Sequence, residues 1–238
     1  MNELAEFREK FHENLLNDKP SIQIKKWQKE GKLKKFLPEL DNCAGVAQDT
    51  KFHQDDVFIH CIKTCDNTPP ELSMRWAALL HDIGKAKTAD SHILCDIYFP
   101  EKKIIRYCHL KGKKCNNKCE HAVERITFYK HEIASEKLAR RVLKRFKIKA
   151  PLYNEIMQLI GLHMYNYTFE WSDRAIAKFI KNTEITKQIL ENPDEFPLFR
   201  LRIADRVSRG LIPVTQRQRD FENRLRNYFD EMQANSEN

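Results

Sequence analysis

Ala77-Ala78-Leu79-Leu80-His81-Asp82-Ile83-Gly84-Lys85 is the stretch around which the rest of the chain is arranged. Its apolar run ends in an adjacent imidazole and carboxylate, and on a buried helix two such groups can grip one divalent cation. Alone, the dipeptide is equally a satisfied histidine beside a capping or solvated aspartate. Its company changes the reading. Asp56-Val57-Phe58-Ile59-His60 lies upstream, Phe128-Tyr129-Lys130-His131-Glu132 and Leu162-His163-Met164 lie downstream, and Ile203-Ala204-Asp205-Arg206 follows near the end. Each sets a candidate ligand within or beside an apolar helical stretch, where an unpaired polar group costs roughly a few kcal/mol.

Composition sets the broad class. The chain has 238 residues, 42 Lys and Arg against 34 Asp and Glu, and a formal net charge of +8. That length supports one domain with a real core. The charge favours anionic partners, although a solvated basic surface has the same composition. There is no run of about 18 or more apolar residues and no apolar N-terminal signal, so a cytoplasmic protein without membrane contact is expected. The seven cysteines, odd in number and clustered, read as thiols or metal ligands rather than a disulfide framework.

Outward from the central stretch, the spacing predicts helices nearly throughout. Leu4, Phe7, Phe11, Leu15 and Leu16 mark a first helix over 2–17, closed by Asn17-Asp18-Lys19-Pro20. Ser21 can cap a second helix through Lys35, whose lysines 25, 26, 29, 32, 34 and 35 either meet phosphates or form a solvated face. A helix starting after Gln54 turns His60 inward on the side of Val57 and Cys61, with Asp55 and Asp56 in its first turn, where negative charge suits the helix dipole. Glu71–Gly84 follows, and a tight turn at Gly84 leaves the Lys85 ammonium free to reach an anion. Thr127–Phe146 buries Ile133, Leu138, Val142 and Phe146 and carries His131 in its first turn, while Tyr153–Tyr165 delivers His163. Shorter helices are expected from Asp173 to Lys181 and over 186–192. Phe196–Val207 carries Asp205, a buried carboxylate that needs either a cation or a donor such as Arg206. Gln216–Met232 is amphipathic, and 231–238 reads as a polar, disordered tail.

The order His60, His81-Asp82, His131, His163, Asp205 resembles the HD superfamily of metal-dependent phosphohydrolases. The flanking text is similar to the HD domain at the C-terminal end of bacterial tRNA nucleotidyltransferases: Leu37-Pro38-Glu39-Leu40, Gly45-Val46, the stretch from His53 through Asp56 to His60, Leu79 to Lys85, Phe128 to Glu132, Leu162-His163 and Arg202 to Arg206. The similarity runs over roughly residues 36–206. On this reading, 1–35 resembles the helical neck before that domain, 36–230 is the HD domain, and the nucleotidyltransferase head, with its Gly-Ser and Asp-x-Asp patterns, is missing.

The resemblance implies an all-α fold, a compact helical HD domain, and a site in which His60, His81, Asp82 and Asp205 hold one divalent metal. The ligand types do not choose among Mg, Mn, Ni, Co and Fe. Asp82 would orient or deprotonate a water whose pKa the metal lowers. Lys85, His131 and His163 would bind phosphoryl oxygens, or the two histidines a second ion. The expected substrate is a phosphomonoester or 2′,3′-cyclic phosphate of a nucleotide or RNA end. The alternative is a tRNA- or RNA-binding module with little or no hydrolysis. The chain does not reveal its oligomeric state.

Residues 89–124 look like an insertion against the family pattern. Ile93–Phe99 and Ile104–Cys108 read as two strands of a small hairpin. Cys95, Cys108, Cys115 and Cys119 follow the spacing Cys-x12-Cys-x6-Cys-x3-Cys, which either encloses a structural zinc or leaves free thiols.

Overall fold

The computed structural model of the chain describes residues 3–49, 54–95, 97–99, 104–106, 122–165, 168 and 170–236, with backbone alone at 92–95, 97–99, 104–106, 122–124 and 236. These residues form a mostly helical protein, as the periodicity requires. Helices α1 (Glu3–Leu15), α2 (Pro20–Lys29), α3 (Lys32–Phe36) and α4 (Pro38–Asp41) come first. Gly31, at φ 72°, splits the helix expected to run through Lys35 into α2 and α3. Ser21 does not cap α2. Its hydroxyl and amide instead donate to the Asp66 carboxylate at 2.6 and 3.0 Å, tying α2 to the next long helix, α5 (Val57–Asp66).

Helix α6 (Leu72–Leu80) is the axis of the fold. Every residue from Met74 to Leu80 is buried, so no face is left for water. It packs against α5, against α9 (Leu152–Leu162) and against α11 (Pro197–Ser208). An aromatic cluster closes its N-terminal half: Phe11 lies 5.2 Å from Trp76 and 5.5 Å from Phe146, between centroids, and Phe7 stacks on Phe36 at 4.7 Å. Phe146 follows α8 (His131–Arg145), so the cluster joins the N-terminal helices to α6 and α8. The buried Arg75 donates through its two terminal nitrogens to the Cys65 and Asn17 carbonyls.

Several boundaries move for local reasons. Asp56 is the N-cap of α5 rather than part of its first turn, accepting from the Ile59 amide at 2.7 Å and from the Gly45 amide at 2.8 Å. The helix expected from Thr127 begins at His131, because a strand occupies Ala122–Thr127 and Lys130, at φ 61°, reverses the chain. Ile133 faces solvent and Ser135 takes the buried position, since the buried stripe of α8 runs His131, Ser135, Leu138, Ala139, Val142, Leu143. After α10 (Asp173–Thr183), short 3-10 turns at Ile189–Glu191 and Pro193–Glu195 replace the helix expected over 186–192. α12 (Gln216–Ser236) continues through residues that composition reads as a disordered tail.

The strand segment forms two antiparallel pairs beyond the short α7 (Lys85–Thr88). β1 (Asp90–Cys95) pairs with β4 (Ala122–Thr127), from Asp90 opposite Thr127 to Cys95 opposite Ala122. β2 (Ile97–Phe99) pairs with β3 (Ile104–Arg106), Ile97 opposite Arg106. The pairing therefore extends three residues past the expected end of the insertion. Cys108, Cys115 and Cys119 and the side chain of Cys95 lie outside the described residues. No helix among the described residues is long and apolar enough to cross a membrane.

One contact fixes how α8 meets the central stretch. A Cβ on Gly84 would lie 2.2 Å from the His131 carbonyl oxygen and 2.5 Å from the Ser135 nitrogen, both backbone atoms, while the Gly84 amide donates to Ser135 Oγ at 2.9 Å. Gly84→Ala must push α8, and His131 with it, away from His81-Asp82. We expect a loss of about 1–3 kcal/mol or more in stability from this overpacking, read as a lowered midpoint in urea unfolding with unchanged m-value. An unchanged midpoint would show that the two segments are not in contact.

Candidate metal centre

All six candidate ligands converge, and most are delivered by helix ends rather than helix middles. His60 projects from α5 and Asp205 from α11. His81 and Asp82 occupy the turn just past α6, His131 is the first residue of α8, and His163 follows the last residue of α9. The expectation that His81 and Asp82 sit within a helix is corrected: α6 stops at Leu80, and the turn from His81 to Gly84 is what lets both side chains point the same way.

Asp82 lies at the centre. Its Oδ2 is 3.2 Å from His60 Nε2, 3.3 Å from His81 Nε2 and 2.7 Å from Lys85 Nζ. Its Oδ1 is 3.2 Å from His131 Nε2 and 3.7 Å from His163 Nε2. Asp205 Oδ1 lies 3.1 Å from His60 Nε2 and 4.0 Å from His81 Nε2. Two triads result, His60/His81/Asp205 and Asp82/His131/His163, and in each the ligand atoms lie within 4.8 Å of one another.

Hydrogen bonding decides which ring nitrogen faces inward. His81, His131 and His163 each direct Nδ1 at the carbonyl three residues earlier, those of Ala78, Phe128 and Ile160, at 2.8, 2.8 and 2.7 Å. A carbonyl can only accept, so each Nδ1 carries the proton and each neutral ring turns the lone pair of Nε2 toward the carboxylates. His60 reaches the same state by another route. Ser208 Oγ donates to the Asp205 carbonyl at 2.7 Å and stands 3.1 Å from His60 Nδ1, which leaves the serine oxygen to accept from the ring. Four nitrogen lone pairs and two carboxylates facing one another need positive charge between them. His131 Nε2 and His163 Nε2 are buried without a hydrogen-bond partner, a state that a cation relieves. The donor set of imidazole nitrogen and carboxylate oxygen suits a divalent transition ion or magnesium.

Titration follows the same geometry. Burial opposes ionisation of Asp82, but His81, the Lys85 ammonium, His131 and His163 together hold its carboxyl well below the usual range. Asp205 is likewise depressed: burial is outweighed by His60, Arg209 and His81. Burial lowers His81. At His60 and His131 burial is overcome by their carboxylate partners, Asp205 and Asp82 for the first and Asp82 for the second, and both are raised. The same carboxylates that favour a proton on these two rings would favour a cation in its place.

Three expectations are corrected. Lys85 is not free to reach out: its side chain is 9% exposed, and its ammonium lies 2.8 Å from Gln48 Oε1 and 5.2 Å from the Phe128 ring centre as well as against Asp82. Asp205 keeps 27% of its side chain exposed and sits at the mouth of the site. Its partner is Arg209, at 2.9 Å, whereas the Arg206 Nε donates to the Ile212 carbonyl. The sequence reading missed Ser208 and Gln48. The one signal for Ser208 was its place three residues after Asp205, on the same helix face.

No protein-family model matches the chain. Part of it is similar to part of the multifunctional CCA proteins. It is 38% identical over 84 residues to the one from Methylobacillus flagellatus, which covers 34% of this chain and 20% of that protein. It is 35% identical over 81 residues to that of Ectopseudomonas mendocina, 32% of this chain and 20% of the relative. The figures for Aromatoleum aromaticum are 37% over 93 residues, 37% and 23%. The chain thus spans about a fifth of the length of these curated relatives.

Two outcomes follow from the nitrogen geometry. A proton on His60 or His131 competes with an ion for Nε2, and both rings are raised above the ordinary value, so affinity for Mn²⁺ should fall as the pH is lowered. Calorimetric titration in buffers of different ionisation enthalpy should register proton release. An affinity that does not fall as the pH is lowered would contradict the assignment. Ser208→Ala removes the acceptor for His60 Nδ1–H and should weaken Mn²⁺ binding roughly 10–100-fold in chelator competition, while Ser208→Thr retains most of it.

Proposed function

We propose that the chain is an HD-type metal-dependent phosphohydrolase, acting on a phosphomonoester or 2′,3′-cyclic phosphate of a nucleotide or RNA end. The observation that carries this reading is the inward convergence of four Nε2 lone pairs on two carboxylates, two of those nitrogens being buried without a hydrogen-bond partner. His60, His81, Asp82 and Asp205 would hold one divalent ion, and Asp82 with His131 and His163 offers a second position. Such an ion supplies a water acidified to near neutral pH and offsets negative charge on the phosphate.

The chain's own groups then divide the work. Asp82, held ionised by its surroundings, would orient the attacking water or take its proton. Lys85, pinned between Asp82, Gln48 and Phe128, keeps that carboxylate in place and charged, so we assign it a positioning role instead of a phosphate contact. His131 and His163, where they do not hold a second ion, face the phosphoryl oxygens. The cleft beside them, about 490 Å³, is also lined by Arg202 and Arg209, cations suited to a phosphate's remaining charge. Four cysteines, Cys95, Cys108, Cys115 and Cys119, make a structural zinc in the strand segment part of the same proposal.

A second reading rests on the name shared by the relatives and on the +8 charge: an RNA-binding module in which the site does no chemistry. Turnover separates the two. Elemental analysis of the purified protein should find a divalent ion at the centre, with zinc in addition if the cysteines bind it. A panel of nucleoside monophosphates and 2′,3′-cyclic nucleotides, with Mn²⁺, Ni²⁺, Co²⁺ or Mg²⁺, should show hydrolysis that Asp82→Ala lowers about 10²–10⁴-fold. Activity surviving that substitution would remove the site from the reaction, and no turnover with any of the four ions would leave the binding module.

A further inference from the structure

A second cleft, about 440 Å³, shares Arg209 with the first and lies between the start of α2, both ends of α5 and the end of α11. Arg209 lines both clefts, and both volumes fall in the range of small-ligand sites. Of the residues of the centre, His60 and its partner Ser208 also line the second cleft, but no complete ligand triad does. Its two carboxylates are engaged: Asp55 with Lys63 at 2.6 Å, and Asp66 with the amide and hydroxyl of Ser21. What is left facing the space is cationic and amide in character. Lys19 is exposed and makes no ion pair among the described residues, and Gln54 and Asn67 add groups able to donate and accept.

Arg209 is the hinge of the argument. Among the described residues it spends Nε and Nη2 on Asp205, at 3.3 and 2.9 Å, and Nη1 makes no hydrogen bond to the protein, while the residue lines both clefts. A guanidinium with an unspent donor, fixed beside the mouth of one cleft and lining the next, suits a phosphodiester that crosses from one to the other. We propose that the second cleft is a subsite for the nucleotide adjoining the reacting one, so that the substrate is the end of an oligonucleotide rather than a free mononucleotide. The adjoining nucleotide would meet Lys19 and the amides, with the connecting phosphate against Arg209. This inference rests on the phosphohydrolase reading for its chemistry but not for its binding.

The test compares a mononucleotide with a trinucleotide carrying the same terminal phosphate, using the Mn²⁺-loaded protein. The wild type should favour the trinucleotide in kcat/KM by about tenfold or more, the equivalent of one good charged contact. Lys19→Glu should remove most of that preference and leave mononucleotide hydrolysis within about twofold, since Lys19 touches no ligand of the centre; Lys63→Ala should act in the same direction. Equal rates on the two substrates in the wild type, or equal losses on both in Lys19→Glu, would overturn the subsite. If neither substrate is hydrolysed, the chemistry proposed above fails instead, and fluorescence anisotropy with a labelled trinucleotide still decides the subsite. Binding weakened by Lys19→Glu and by added salt supports it, and binding unaffected by the substitution refutes it.

Discussion

The structure turns on one buried carboxylate. Asp82 has 5% of its side chain exposed, and its two oxygens face four histidines and a lysine contributed by five different segments. An ionised carboxylate removed from water is expensive unless surrounding charge and hydrogen bonds replace its hydration. That demand reaches far along the chain. It requires α5, α8, α9 and the turn after α6 to meet at one point, and it requires Gly84, because no side chain fits between that turn and the backbone of α8. The apolar core, with α6 buried on every face, is the frame that makes so polar a meeting place possible.

Helix ends do most of the aiming. At His81, His131 and His163 the same local device recurs, an Nδ1–H donated to the carbonyl three residues back, so tautomer and ring orientation follow from the backbone alone. His60 stands within a helix whose carbonyls are already used by the backbone ladder, and it borrows Ser208 from α11 instead. The hydroxyl of Thr64, 3.0 Å from Ser208 Oγ, ties the serine back to α5. The two helices that carry His60 and Asp205 are thus locked by side chains, which makes this pair the part of the centre most sensitive to a single substitution.

Much of this could be read before any coordinates. Apolar spacing locates the helices, and the set of histidines and aspartates in apolar surroundings identifies the residues that meet. What could not be read depends on backbone events that periodicity does not register. Gly31 and Lys130, both in the left-handed region, cut helices that the pattern would continue. Ile133 looks like a core residue by type, yet Ser135 holds the buried position because the Gly84 amide needs an acceptor there. Lys85 follows a glycine turn, which suggests freedom, but Gln48, far away in sequence, supplies a second partner that draws its ammonium inward. Arg206 is the partner that adjacency in sequence suggests for Asp205. The helical offset of four, rather than one, places Arg209 beside it.

The arrangement also explains why the centre behaves as a unit. Each inward lone pair is tolerable only while something positive stands opposite, whether a proton shared by His60 or His131 with its carboxylate or a cation reached by all of them. Deleting one imidazole removes a donor but leaves the carboxylates buried and less compensated, so the cost exceeds that of the contact itself. Deleting Asp82 removes the central negative charge but strands the buried Lys85 ammonium without its counter-charge. Neither the central carboxylate nor a ring around it can be removed without leaving a buried charge less compensated. A group that is costly to the fold and central to the site is one that function, and not stability, accounts for.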